Sequence, residues 1–144
     1  NAEETVKINS LINSTETFNN QTVTIEVEAI GEVLERGDYA WVNVNDGTNA
    51  IGIWMKASDA KTIKYYGDYK HIGDTVRITG LFSRNCTEHG GDVDIHCADI
   101  SIVKTGNSVR EGISGAKIVT AVNLLCAAVL MALIYKRLIK KPKN

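Results

Sequence analysis

The sequence predicts an all-β domain, a small five-stranded barrel, followed by one membrane-spanning helix. Three observations support this architecture. Apolar and polar residues alternate with a period of two through most of residues 22–104, which is typical of strands with one buried face. Residues 58–66 have helical character and separate the third strand from the fourth. An apolar run without formal charge then occupies residues 118–135.

The first strand is predicted over residues 22–30, after a polar N-terminal segment at residues 1–21. Its inward face consists of Val23, Ile25, Val27 and Ala29. Gly31 indicates a bulge or bend, after which the strand continues toward Leu34. The polar segment still carries apolar residues that can pack a short helical turn against the domain, namely Ile8, Leu11, Ile12 and Phe18.

The second and third strands are predicted to form a hairpin around the dipeptide Asp46-Gly47, which favours a two-residue turn. That turn pairs Asn45 with Thr48. Continued along the strands, the same register gives the pairs Val42–Ile51, Ala40–Ile53, Trp41–Gly52 and Tyr39–Trp54. The apolar pairs then share one face and the aromatic residues share the other.

The remaining elements follow the same pattern analysis. Residues 58–66 are predicted as a short helix with Ser58 as its N-cap and Gly67 just beyond its end. The fourth strand spans residues 75–82, and a loop follows at residues 85–91. The inward residues of this fourth strand are Val76, Ile78, Gly80 and Phe82. The last strand spans residues 93–103, where a slip in alternation predicts a bulge near Ala98.

The order strand, strand, strand, helix, strand, strand is that of the OB-fold, a five-stranded Greek-key barrel. The segments GDYAWVNVNDGTNAIGIWM and YGDYKHIGDTVRITGLFSRNCTEHGGDVDIH resemble small OB-fold proteins of anaerobic bacteria and archaea. These are related to the nucleic-acid-binding OB superfamily and often carry a membrane segment. The resemblance covers about residues 22–104. It implies the fold and leaves the function open, because this fold hosts many unrelated activities.

The C-terminal run at residues 118–135 is long enough for a transmembrane helix. Its eighteen residues make about 27 Å of helix, close to a hydrocarbon core of about 30 Å. Residues 105–117 form a linker, and the tail at residues 136–144 is basic. The positive-inside rule therefore predicts a single-pass plasma-membrane protein with a cytoplasmic C-terminus and the domain at the cell surface. The chain starts at Asn1 without a Met, which we interpret as a mature end left by signal cleavage.

Charge is divided unevenly along the chain. All seventeen acidic residues but only ten of the sixteen basic ones precede residue 115, so residues 1–115 carry a net charge of −7. Because cationic side chains supply most nonspecific affinity for phosphates, this acidic body disfavours nucleic acid as a partner. Membrane lipid and further copies of the chain are the partners that we expect.

The outward face of the predicted hairpin carries Tyr39, Trp41, Asn43 and Trp54. In OB-folds the face of strands two and three is the usual binding surface. Aromatic side chains with an amide beside them can stack on sugar rings or bases, or form the centre of a protein interface. The alternative is that the N-terminal segment or the curvature of the barrel itself covers these rings.

Two cysteines lie in the domain, Cys86 and Cys97. Outside the cytoplasm they allow a disulfide, although their strand positions do not clearly face each other. Together with His89 and His96 they offer ligand types that zinc accepts. The spacing C-x2-H-x6-H-C matches no strong zinc pattern, so we predict no metal and no other cofactor, with the two histidines as weak candidates only. Calcium is a further weak alternative at Asp92, Asp94 and Asp99.

The membrane run contains one amide, Asn123, and the pair Ala128-x-x-x-Ala132. A polar side chain and small residues favour association between membrane helices. No nucleophile in a recognisable elbow and no phosphate-binding glycine loop is present, so we predict that the protein is not an enzyme. The first functional hypothesis is a structural, self-assembling surface component, such as a coat, tubule or filament subunit. The second is an extracellular binding module for oligosaccharide, peptide or single-stranded nucleic acid.

Overall fold

A computed structural model describes residues 4–109 and 114–139. The chain divides into two compact units, residues 1–109 and residues 110–144, and each is described by itself. The elements of the first unit are α1 (Ile8–Asn13), α2 (Thr15–Phe18), β1 (Thr22–Arg36), β2 (Tyr39–Asn45), β3 (Ala50–Lys56), α3 (Ala57–Ala60), β4 (His71–Ile72), β5 (Thr75–Cys86), a 3-10 turn (Thr87–His89), β6 (Asp92–Lys104) and β7 (Asn107–Ser108).

Five strands close into a barrel in the order β1-β2-β3-β6-β5. All neighbouring strands are antiparallel except β3 and β6, which pair in parallel and close the barrel. The short strands β4 and β7 form a separate two-stranded ladder. This arrangement confirms a small OB-like barrel, in which the second and third long strands form the face that the sequence singled out.

The alternating residues of the five long strands meet inside the barrel. Fully buried side chains include Ile25, Val42, Ile53, Ile78, Phe82 and Ile95. The N-terminal segment contributes as well, because Ile8 and Leu11 of α1 are fully buried in the same core. The apolar residues of this segment therefore pack as the sequence predicted, and residues 4–21 belong to the barrel unit.

Two irregularities occur where the sequence predicted them. The pairing of β1 with β2 shifts register between Ile30 and Leu34, and Gly31 there has φ +73°. In the pairing of β5 with β6, Thr79 faces Asp99 while Gly80 faces Cys97, which leaves Ala98 as the extra residue. The bulge at Ala98 explains why residues on both sides of it reach the core with opposite parity.

The hairpin of β2 and β3 differs from the predicted register by two residues. Asn45 pairs with Ala50 and Val42 pairs with Ile53, so four residues rather than two make the turn. The side chain of Asp46 accounts for this wider loop, because its carboxylate accepts hydrogen bonds from Thr48 and Asn49. A shift of two residues leaves every side chain on its predicted face. Its effect on the aromatic face is to place Trp41 directly opposite Trp54.

The predicted helix at residues 58–66 is shorter and starts earlier. The structure has only α3, over Ala57–Ala60, and its N-cap position is Lys56 rather than Ser58. The buried carboxylate of Asp74 accepts the backbone N–H groups of Lys64 and Tyr65, at 2.7 and 3.3 Å. Those N–H groups are thereby removed from a helical ladder, so the helix does not continue beyond its first turn.

The second unit contains one described helix, α4 (Gly115–Ile139). The Ser114 hydroxyl accepts a hydrogen bond from the Lys117 N–H at 3.3 Å, which caps its first turn. By length and composition α4 could cross a membrane, and none of its residues is buried within the unit. On such a helix Asn123 lies about 140° around the axis from Ala128 and about 180° from Ala132, so the amide and the alanine pair do not share one face.

Replacement of Asp46 by Asn tests the loop that sets the hairpin register. Partial burial acts to raise the pKa of Asp46, but hydrogen bonds from Thr48, Ile8 and Asn49 outweigh it and lower the pKa to about 2 from 3.8. Ionised Asp46 therefore stabilises the fold above about pH 4, and this contribution is lost as the pH falls toward about 2. We expect D46N to lower the free energy of unfolding at neutral pH by about 1 kcal/mol.

Denaturant titrations of both proteins across the acid range measure this effect. The difference in stability should shrink as the pH drops below about 4. Asp38→Asn, an exposed residue before the opposite end of β2, is the matched control and should show no pH-dependent difference. If the free energy of unfolding of D46N stays below that of the wild type by the same amount down to about pH 2, the ionised Asp46 carboxylate is not the source of the stabilisation.

Candidate functional site

The outer face of β2 and β3 carries three aromatic rings in contact. Tyr39 stacks on Trp54 with ring centroids 5.3 Å apart and planes 6° from parallel. Trp41 lies across from Trp54 at 6.2 Å in a tilted arrangement. Cross-strand aromatic pairs of this kind stabilise a sheet and give it a rigid apolar surface.

A glycine beneath Trp41 makes this packing possible. A Cβ atom on Gly52 would lie 2.1 Å from Cζ2 of Trp41 and 2.5 Å from its Cε2. The indole ring therefore rests directly on the β3 backbone, where any other side chain would displace it. This close approach holds the indole ring against the surface of the sheet at Gly52, whose neighbour on β6 is Asp94.

Above the indoles lies a groove with a volume of about 600 Å³. Its lining combines the two tryptophans with residues from β1, from the turn before β6 and from the first position of β6, namely Leu34, Arg36, Glu88, His89 and Asp92. None of the described residues of the N-terminal segment, 4–21, lines this groove. The aromatic face is thus an open groove with charged edges, and the alternative that α1 or α2 covers it does not hold.

His89, which lines the groove, also belongs to a cluster of four polar side chains, Cys86, His89, Asp94 and His96. Cys86 ends β5, and His89 lies in the 3-10 turn that follows. Asp94 and His96 are alternate residues of β6, so they share its outer face while Ile95 points into the core. Gly90 and Gly91, with φ of +74° and +93°, fold the turn back so that all four side chains meet.

The possible ligand atoms of this cluster lie close together. The Sγ atom of Cys86 is 3.3 Å from Nδ1 of His89 and 3.3 Å from Nε2 of His96. Asp94 Oδ2 is 3.4 Å from Nε2 of His96 and also contacts Nδ1 of His89. All four atoms lie within 4.8 Å of one another.

Burial makes this cluster electrostatically unusual. The Asp94 side chain is 0% exposed, and its Oδ1 atom has no hydrogen-bond partner among the described residues. His89 and His96 are 16% and 29% exposed and form the only visible edge of the cluster. Burial raises the pKa of the Cys86 thiol, and the nearby Asp94 carboxylate raises it further against hydrogen bonds from backbone N–H groups.

The ring of His89 joins the polar cluster to the aromatic face. Its centroid lies 5.1 Å from that of Trp41 and 4.7 Å from that of Trp54, edge-on to both. On its other side the His96 ring is 5.1 Å away. The groove and the cluster are therefore two parts of one site, with His89 in both.

The site differs in part from the sequence predictions. Tyr39, Trp41 and Trp54 come together as expected, whereas Asn43 is exposed and does not line the groove. Cys97 is not in the cluster and donates to the Asp99 carbonyl, at 3.3 Å. Cys86 and Cys97 are both free cysteines in this structure.

The residue that sequence reasoning missed is Asp94. It was grouped with Asp92 and Asp99, but those two are exposed and take no part in the cluster. Strand parity was the available signal, because Asp94 and His96 must lie on one face while Cys97 lies on the other. The ligand spacing is therefore C-x2-H-x4-D-x-H.

Comparison with known proteins supports the fold only. No protein-family model matches the chain, and a search of curated proteins finds no match. An asparaginyl-tRNA synthetase from Pyrococcus horikoshii, complexed with asparaginyl-adenylate, is similar with a TM-score of 0.52 and 12% identity over 72% of this chain and 23% of that one. A proposed aspartyl-tRNA synthetase from Leishmania major Friedlin gives 0.51 and 15% over 72% and 21%. The chain spans under a quarter of either synthetase, and identities this low show a shared barrel fold alone.

Replacement of Gly52 by Ala tests the contact that seats Trp41. Since the added methyl would overlap the indole, Trp41 must lift out of its position. We expect a loss of about 1–3 kcal/mol in the free energy of unfolding, as is usual for overpacking, and a changed tryptophan fluorescence spectrum. Gly115→Ala, where a Cβ meets nothing within 4 Å, is the control and should leave both unchanged. An unaltered spectrum for G52A would contradict the close contact.

Proposed function

We propose that this chain is a membrane-anchored binding protein whose OB-like barrel lies outside the cytoplasm and holds a neutral oligosaccharide. The observation that carries the proposal is the open groove of about 600 Å³ over Trp41 and Trp54. A concave apolar floor with a few polar groups at its edge is the usual form of a small-ligand site. Strands two and three of OB-folds bind oligonucleotides and oligosaccharides in other proteins.

Sugar rings match the chemistry of this groove. Their C–H faces are apolar and stack on indole rings, while their hydroxyl groups need hydrogen-bond partners at the rim. Glu88 and Asp92 offer carboxylate acceptors, and Arg36 offers a donor. Tyr39, 43% exposed and stacked on Trp54, extends the aromatic surface beyond the groove.

Charge disfavours single-stranded nucleic acid as the ligand. Two carboxylates and a single guanidinium line the groove, so a phosphate backbone would meet more repulsion than attraction. The body as a whole is acidic, with a net charge of −7 over residues 1–115. The similarity to tRNA synthetases reflects a shared fold and does not alter this balance.

The membrane part of the proposal rests on α4 and the charges around it. The helix is apolar over a length that matches a hydrocarbon core, and Lys136 and Arg137 fall in its last turn. Three further lysines follow in the sequence, Lys140, Lys141 and Lys143. Basic residues on one flank orient such a helix with that flank in the cytoplasm, which leaves the barrel outside.

Lateral self-association is the second candidate function. Leu34, at the edge of the groove, and Tyr39, beside it, are exposed side chains of a kind that also occurs at interfaces between copies of a chain. The groove favours ligand binding over this alternative, because a self-complementary interface would not need a concave floor with charged edges.

The double variant Trp41→Ala, Trp54→Ala tests the proposed function. The full chain in detergent is titrated by calorimetry with neutral glucose- and N-acetylglucosamine-based oligosaccharides, and separately with single-stranded oligonucleotides. We expect sugar affinity to fall at least about tenfold in the variant, since each lost stacking contact contributes about 1 kcal/mol. Added salt should have little effect on wild-type binding.

The control is Tyr69→Ala, which removes a ring that is 78% exposed and lies outside the groove. It should bind sugar as the wild type does. If the wild type instead binds oligonucleotides, with an affinity that falls steeply as salt is added, the ligand is nucleic acid and the sugar proposal is wrong. Loss of an assembly in the double variant, with no sugar binding by the wild type, would favour the second candidate.

A further inference from the structure

We propose that Cys86, His89, Asp94 and His96 form a zinc site. This inference is independent of the sugar-binding proposal, because it rests on a different set of contacts and has its own readout. The four residues come from the end of β5, the following turn and the outer face of β6. Each offers one ligand atom to a common point.

Three separations between the ligand atoms are close to those around a tetrahedral zinc ion. With zinc–sulfur bonds of about 2.3 Å and zinc–nitrogen or zinc–oxygen bonds of about 2.0–2.2 Å, tetrahedral ligands lie about 3.3–3.6 Å apart. The separations from Cys86 Sγ to the two imidazole nitrogens are both 3.3 Å. Asp94 Oδ2 lies 3.4 Å from Nε2 of His96. The contact between Nδ1 of His89 and Oδ2 of Asp94 is closer than this, so these two side chains would move apart to take the ion between them.

The donor set selects zinc over harder cations. A thiolate and two imidazoles suit zinc and other late transition metals, whereas calcium and magnesium require mostly oxygen ligands. Asp94 supplies a single carboxylate here, and Asp92 and Asp99 lie outside the cluster. The calcium alternative of the sequence therefore has no site, and zinc is the metal that these four ligands favour.

The buried carboxylate supplies an independent reason for a cation. Asp94 is fully buried and one of its oxygens, Oδ1, lacks a partner among the described residues. Removal of an ionised carboxylate from water costs several kcal/mol unless a charge or hydrogen bonds compensate it. A divalent ion would provide that compensation, and Oδ1 would be free to take a longer contact with the ion or to hold a water.

A polar network without metal is the competing interpretation. The pair His71–Asp68 shows what such a contact looks like elsewhere in this protein: one imidazole, 3.0 Å from one carboxylate, with both side chains about 40% exposed. The cluster differs because two imidazoles and a thiol converge on one buried carboxylate. Binding would displace the thiol proton of Cys86 to solvent, which metal sites of this kind do at neutral pH.

Zinc at this position would fix the wall of the groove. His89 lies in a three-residue turn followed by two glycines with positive φ. A bond from Nδ1 of His89 to a metal anchored on β6 would keep its ring against Trp41 and Trp54. With four protein ligands the ion has a structural rather than a catalytic coordination.

The test measures metal content and ligand identity in the full chain. The protein is purified in detergent with a thiol reductant, incubated with zinc, desalted and analysed by elemental mass spectrometry. Cobalt(II) in place of zinc then reports the geometry, because a tetrahedral thiolate site gives strong visible bands and a thiolate-to-cobalt charge-transfer band. The variants are Cys86→Ser and His96→Gln, and the matched controls are Cys97→Ser and His71→Gln.

We expect stoichiometric zinc in the wild type and in both controls, and at least about a tenfold loss of affinity in C86S and H96Q. Circular dichroism checks that the variants keep the barrel, and the wild-type cobalt spectrum stands even where a variant fails to fold. Zinc bound equally by C86S, cobalt bands without thiolate character, or no binding by reduced protein would overturn the proposal. A Cys86–Cys97 disulfide in protein isolated without reductant, or a different transition metal retained in preference to zinc, would overturn it as well.

Discussion

The parallel pairing of β3 with β6 is the constraint on which the site depends. Its register places Gly52 beside Asp94 and Trp54 beside His96. Because β3 is also the partner of β2, Trp41 comes to lie over Gly52 and within reach of the same polar side chains. An aromatic surface and a polar cluster that are separated by about forty residues in sequence thus become neighbours through the closure of one barrel seam.

The energetics of the site follow from what this seam removes from water. Asp94 loses all solvent contact at a position where the nearest groups are two imidazoles and a neutral thiol. Such a group is costly in the absence of compensation, and the fold retains it next to its most aromatic surface. An apolar residue at position 94 would stabilise the fold more than a buried carboxylate does. The presence of Asp94 is therefore better explained by a role in binding than by a role in stability.

Much of the fold was predictable because strand parity is encoded locally. Alternation gave the inward residues of β1 and β5, and its slip placed the bulge at Ala98. The hairpin register was not predictable, since a shift of two residues keeps every face and only the Asp46 hydrogen bonds decide the turn length. The length of α3 likewise depends on Asp74, a distant acceptor that local pattern does not reveal. The sequence suggested Cys97 as the fourth member of the cluster because it is adjacent to His96. In the structure Asp94 takes that place, because Asp94 and His96 lie on the same face of β6 and Cys97 lies on the other.

The bulge at Ala98 separates β6 into two lengths with opposite phase. Before it, odd-numbered Ile95 faces the core and even-numbered Asp94 and His96 face outward; after it, even-numbered Ile100 packs against the core. One inserted residue thus lets the first half of β6 present Asp94 and His96 outward while the second half still packs Ile100 against the core. Deletion of Ala98 would shift one half of β6 by one residue, so the side chains of that half would exchange their inward and outward positions.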